Sequence, residues 1–158
     1  MIAQAVLVAL QAAWLSLGAY ENIRHPDANR SDVAKVLALE ALADQPQILK
    51  QVAYRRIADP AIVRVVFGAI VAAESLVALL LWFSALLLAG AVLGLVPAEL
   101  AHTVAILAVL GFTAIWAAFL IGGQWFYYWY GAYGQQSHFL LTLWGIATLL
   151  VLAAWPAR

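Results

Sequence analysis

The chain has 158 residues, of which 66% are hydrophobic and 10% charged, with eight basic and eight acidic side chains that cancel. Soluble domains carry roughly 45–50% apolar and about 25% charged residues, so this composition excludes an ordinary water-soluble fold. Zero net charge speaks against nucleic-acid binding and against a polybasic lipid-binding patch, and the lack of cysteine removes disulfides, thiolate metal sites and cysteine nucleophiles.

The length is that of one domain, and the apolar residues gather in runs close to the ~20 residues a bilayer crossing needs. The first run covers 2–19, broken only by Gln4, Gln11 and Ser16. Met1 to Gln4 lacks a basic stretch, and Tyr20 and Glu21 follow the run without a small-residue cleavage site. A membrane span is therefore expected here rather than a cleaved signal peptide.

The connection 20–60 holds most of the charge and reads as two short amphipathic helices. Ser31 and Asp32 are expected to cap the first, whose apolar side is Val33, Val36, Leu37 and Leu39. Asp44, Gln45 and Pro46 end it and open the second, with Ile48, Leu49 and Val52 at helical spacing. Both are expected to lie across the span ends as a membrane-surface cap.

The second run, 61–96, opens after Pro60 and stops at Pro97. The third, 101–123, is followed by the segment from Ile121 to Gln136, which has seven aromatic residues and no charge. Trp and Tyr concentrate where a ring rests among lipid headgroups with its N–H or O–H wet, so this segment marks one membrane face. The fourth run is 138–154. The expected architecture is all-α: an integral membrane four-helix bundle with antiparallel neighbours and interfacial helices between spans one and two. Counting spans puts the 20–60 connection and the aromatic segment on the same face.

Two motifs resemble the bacterial predicted small integral membrane protein family, domain of unknown function 2165. After span one, Asn22, Asp27, Asn29, Val33, Val36, Leu37 and Glu40 keep the family's order and spacing. After span three, Gly122, Gly123, Trp125, Phe126, Trp129, Gly134, Gln135, Gln136 and Phe139 match its Gly-Gly-Glu-Trp-Phe-x-x-Trp and Gly-Gln-Gln pattern. Gln124 stands where the family usually has Glu, and Ala132 and Tyr133 replace its Trp-Asn pair. The resemblance implies a multi-pass membrane protein and carries no assigned activity. The candidate recognition face is Gly122, Gly123, Gln124, Trp125, Trp129, Gly134, Gln135 and Gln136, together with Asn22, Asp27 and Asn29.

The family also expects one acidic residue within span two, and Glu74 occupies that place. It lies ten residues after Arg64, about 15 Å along a helix and near mid-bilayer by that measure. A charge at a span centre costs on the order of 2.5–3.5 kcal/mol, so Glu74 must face protein or water. By depth, Trp14, Ser16, Trp116 and Thr142 are its candidate partners. It can serve a proton or substrate path, or simply bond across helices.

His25, His102 and His138 do not sit as a facing pair at one depth within the bilayer, so no cofactor or metal is expected, and no nucleophile motif accompanies the hydroxyls. Ala114, Ala118 and Gly122 on span three, and Gly90 and Gly94 on span two, read as close helix-packing faces within the bundle. Arg24, Arg30, Lys35, Lys50, Arg55, Arg56 and Arg64 lie on the connection side against Arg158 on the other, which makes the connection cytoplasmic. The family's usual distribution of basic residues implies the reverse, with termini inside.

The sequence thus points to an inner-membrane protein whose partners are the bilayer and another membrane protein or itself. A non-catalytic accessory or scaffold role is favoured, against an oligomeric transporter or proton-coupled channel using Glu74, and against a redox subunit.

Overall fold

The computed structural model describes residues 1–131 and 134–154; Ala132, Tyr133 and the terminal Arg158 lie outside the described residues. Among the described residues six α-helices follow one another: α1 (Ile2–Arg24), α2 (Pro26–Leu37), α3 (Pro46–Val52), α4 (Pro60–Val92), α5 (Ala98–Trp125) and α6 (Gln135–Ala154). Single 3-10 turns occupy Glu40–Leu42, Ala53–Arg55 and Tyr128–Tyr130, and there is no strand among the described residues. Helices α1, α4, α5 and α6 are long and apolar enough to cross a membrane.

Proline sets the starts. Pro26, Pro46 and Pro60 each stand in a first helical turn, where the fixed φ is pre-organised and no hydrogen bond is lost. Asp59 adds a side-chain cap, its carboxylate accepting from the Ala61 N–H at 2.8 Å. The expected cap at Ser31 and Asp32 is not used, because Pro26 starts α2 five residues earlier with His25 as the joint from α1. Those two residues are interior: Ser31 donates to the Ala28 carbonyl, and Asp32 pairs with Lys35 at 2.9 Å.

The end of α4 also differs from expectation. It stops at Val92 rather than running to Val96, because Gly94 takes a left-handed φ of 73°. The Leu95 N–H reaches the Gly90 carbonyl (2.9 Å) and the Gly94 N–H reaches that of Ala91 (3.2 Å), which is a Schellman stop. Gly90 and Gly94 therefore terminate a helix and do not form a helix-crossing face.

The spanning helices are antiparallel in sequence order. Ser16 meets Trp82 and Asn22 meets Glu74, so α1 and α4 run oppositely. Gly111 lies against Val77, joining α5 to α4, and Gly145 lies so close to Thr113 that a methyl there would overlap it, joining α6 to α5. Gln11 and Trp14 of α1 contact Thr148 and Trp144 of α6, which closes the bundle. Its core includes Val8, Leu15, Leu81, Leu88, Val109, Phe112 and Leu152, all essentially inaccessible. No more than a third of each span's most apolar stretch is buried; leucines such as Leu76, Leu79, Leu86 and Leu150 point outward. That outer surface demands an apolar solvent.

One expected packing face lies on that outer surface. Ala114 and Ala118 are exposed, and a methyl at Gly122 would meet nothing within 4 Å. The bundle does not use this stripe, because α5 turns Ala105, Ala108, Phe112 and Trp116 inward instead.

Between α1 and α4 the chain builds a cap. Leu39, Leu42 and Val52 are buried together, with Ile48, Leu49, Phe126 and Tyr127 packed against them. Thus the cap and the aromatic segment share one small core. Two residues turn the chain into it, Leu39 (φ 59°) and Tyr127 (φ 57°), each left-handed between a helix and a 3-10 turn. That conformation costs a side-chain-bearing residue about 1–2 kcal/mol, offset here by ring and leucine burial. The Ile57 N–H donates to the Leu37 carbonyl (2.9 Å), holding the returning segment to the end of α2.

Candidate functional site

Helix α4 is 33 residues long, about 50 Å, whereas a hydrocarbon core is about 30 Å thick. Its first turns run past the end of α1, and α2 packs along them. This overhang decides the surroundings of Glu74. The residue is buried, 4% exposed, and faces the last turn of α1 rather than the middle of that helix. The Asn22 Nδ2 donates to Glu74 Oε2 at 2.7 Å, and the Asn29 Nδ2 donates to Asn22 Oδ1 at 2.6 Å. One chain of side chains thus links α2, α1 and α4.

Trp14, Ser16, Trp116 and Thr142 do not meet Glu74. Ser16 accepts from the Trp82 indole (3.1 Å) and donates to the Ala12 carbonyl (2.7 Å). Trp14 sets its edge against Trp144, and Thr142 bonds back to the His138 carbonyl at 2.8 Å. Trp116 packs with Phe112, Phe119 and His138. The depth estimate failed because it set Glu74 level with the span centres, while the α1–α4 register sets it against a helix end. Asn22 and Asn29 were legible as motif residues, but their bond to Glu74 was not. A second polar contact was missed: Gln11, fully buried, donates to Thr148 Oγ1 at 3.0 Å. The available signal was an amide in the middle of an apolar run, which must face protein.

The second motif forms the other half of the site. Gly123 is required by contact, since a methyl there would overlap the Tyr128 ring. Tyr128 is buried, its hydroxyl has no hydrogen-bond partner among the described residues, and burial pushes its phenol above the ordinary tyrosine range. The His138 ring lies parallel to it with centroids 6.0 Å apart, and stacks with Trp116 at 5.7 Å. Arg55 lies across the outer side. Its guanidinium is 4.0 Å from the centre of the Trp125 ring, and its Nη1 donates to the Trp125 carbonyl at 3.2 Å. Tyr54 and Tyr127 flank the same guanidinium. The sequence presented Arg55 only as one charge among several.

The remaining face residues divide. Gln124, Trp125, Gln135 and Gln136 are exposed, while Gly122, Trp129 and Gly134 are half-buried. Gly134 has a left-handed φ of 84°, and its carbonyl accepts from the His138 N–H at 3.0 Å, which starts α6. Asn22, Asp27 and Asn29 belong to the α1–α2–α4 corner instead. His25 is exposed at the α1–α2 joint, and His102 bonds the Leu152 carbonyl at 2.8 Å.

Among known families, the model of the predicted small integral membrane proteins, domain of unknown function 2165, matches residues 1–154. The chain belongs to that family. Comparison with curated proteins and with solved structures gives no match. Membership and the four apolar helices together make this an integral membrane protein, and the family description assigns no activity.

Proposed function

We propose that this protein is a non-catalytic accessory or scaffold component of a bacterial inner-membrane assembly, folded as one domain over residues 1–158. The observation that carries the reading is the engagement of Glu74. Its carboxylate bonds an asparagine amide, which is bonded by a second one, and the chain ties the cap to two spans. An amide N–H does not give up its proton near neutral pH, so this chain supports a clamp better than a proton path. Further support comes from α5, whose Ala114, Ala118 and Gly122 stripe faces outward and suits a close helix partner in the bilayer plane.

The test is purification of the full chain in mild detergent. A stoichiometric membrane protein is expected to co-purify. A homo-oligomer that moves protons across liposomes, and stops doing so as Glu74→Gln, overturns the reading in favour of transport.

A further inference from the structure

Beside the Asn22–Glu74 contact, the end of α1, α2 and the overhanging start of α4 border two adjoining open depressions of about 460 and 480 Å3. Arg30 and Arg64 line both, so the two form one groove. We propose that this groove binds an anionic phospholipid from the leaflet on the cap side, with the phosphate on the two arginines and an acyl chain along α4.

Charge complementarity argues for that occupant. Two guanidiniums face one carboxylate at the mouth, and that carboxylate, Asp27, is already paired with Arg30. Arg64 is exposed and makes no hydrogen bond or ion pair among the described residues. Guanidinium groups suit phosphate oxygens because their N–H forks match them two at a time. The start of α4 adds little, since Asp59 already caps it.

Past the arginines the lining turns apolar: Phe67, Gly68, Val71 and Ala72. Arg64 to Ala72 is about 12 Å of helix, close to the ~15 Å depth of one hydrocarbon leaflet. Gly68 and Ala72, one turn apart, keep this track open; a methyl at Gly68 would meet nothing within 4 Å. A free anion has no use for such a track, whereas a lipid uses both ends. The zero net charge of the chain does not oppose this, because the selectivity is local to one corner.

The proposal stands apart from the scaffold reading and is tested separately, by native mass spectrometry of the full chain in mild detergent. The probes are phosphatidylglycerol, phosphatidylcholine and inorganic phosphate. Phosphatidylglycerol is expected to stay bound in preference to phosphatidylcholine. Arg64→Gln is expected to lower that preference roughly fivefold, the usual effect of one basic residue at a membrane surface. Gly68→Leu, which fills the track at a site with open space, is expected to remove the adduct with an unchanged thermal midpoint. Equal retention of the two lipids, or retention untouched by both variants, overturns the proposal. So does displacement of phosphatidylglycerol by inorganic phosphate, or a dimer that replaces the lipid adduct and is lost in Gly68→Leu.

Discussion

Asn22 joins three helices through one side chain. It donates to Glu74 and accepts from Asn29, so its removal strips a buried carboxyl of its partner and cuts α2 from the chain. Asn22→Ala is expected to cost about 1–3 kcal/mol, the usual penalty for leaving a buried group unbonded. Glu74→Gln keeps an oxygen for the Asn22 N–H and should change stability much less. Thermal unfolding of both variants in the same detergent checks this, and an Asn22→Ala midpoint equal to that of the wild type would remove the clamp. Tyr128 gives a second measurable quantity. Its phenol is raised by burial, so the folded state holds that proton more tightly than the unfolded chain does. The associated stability is complete below the ordinary tyrosine range and is lost as pH rises through the Tyr128 value. Phenolate absorbance should therefore show a late phase that disappears in Tyr128→Phe. A single early titration would contradict the burial.

The cap is held as a unit by apolar contact and by one arginine. Leu39, Leu42 and Val52 cover Phe126 and Tyr127, while Arg55 stacks on Trp125 and bonds its carbonyl. The stacking on Trp125 is worth about 0.5–1 kcal/mol at an exposed site. Arg55→Ala should leave the four spans intact and speed proteolysis within 38–59, and Arg55→Lys should restore only part of the protection. Unchanged cleavage in Arg55→Ala would mean that the leucine core alone holds the cap. The individual helices were largely legible, because Pro46, Pro60 and Pro97 punctuate them and the apolar runs are nearly continuous, whereas the start at Pro26 was read instead at Ser31. The left-handed turns at Leu39 and Tyr127 were not, because leucine and tyrosine have no local preference for that conformation.

The four spans bury little of their apolar surface, and α5 presents Ala114, Ala118 and Gly122 outward. Under the accessory reading, Ala118→Phe should release the co-purifying partner while the thermal midpoint stays, since nothing in the bundle packs there. Retention of the partner by this variant would place the docking surface elsewhere, with the cap face around Gln124 and Trp125 next to be tried. Composition and run length by themselves determined the membrane, the four spans and the shared face of cap and aromatic segment. Those follow from hydrophobicity and from counting crossings, which depend on no particular contact. Only the tertiary structure decided that Glu74 bonds Asn22, that Arg55 stacks on Trp125, and that the α5 stripe points away from the bundle. Each depends on the rotation and axial register of packed helices, which long, nearly uniform apolar runs leave undefined until the side chains interlock.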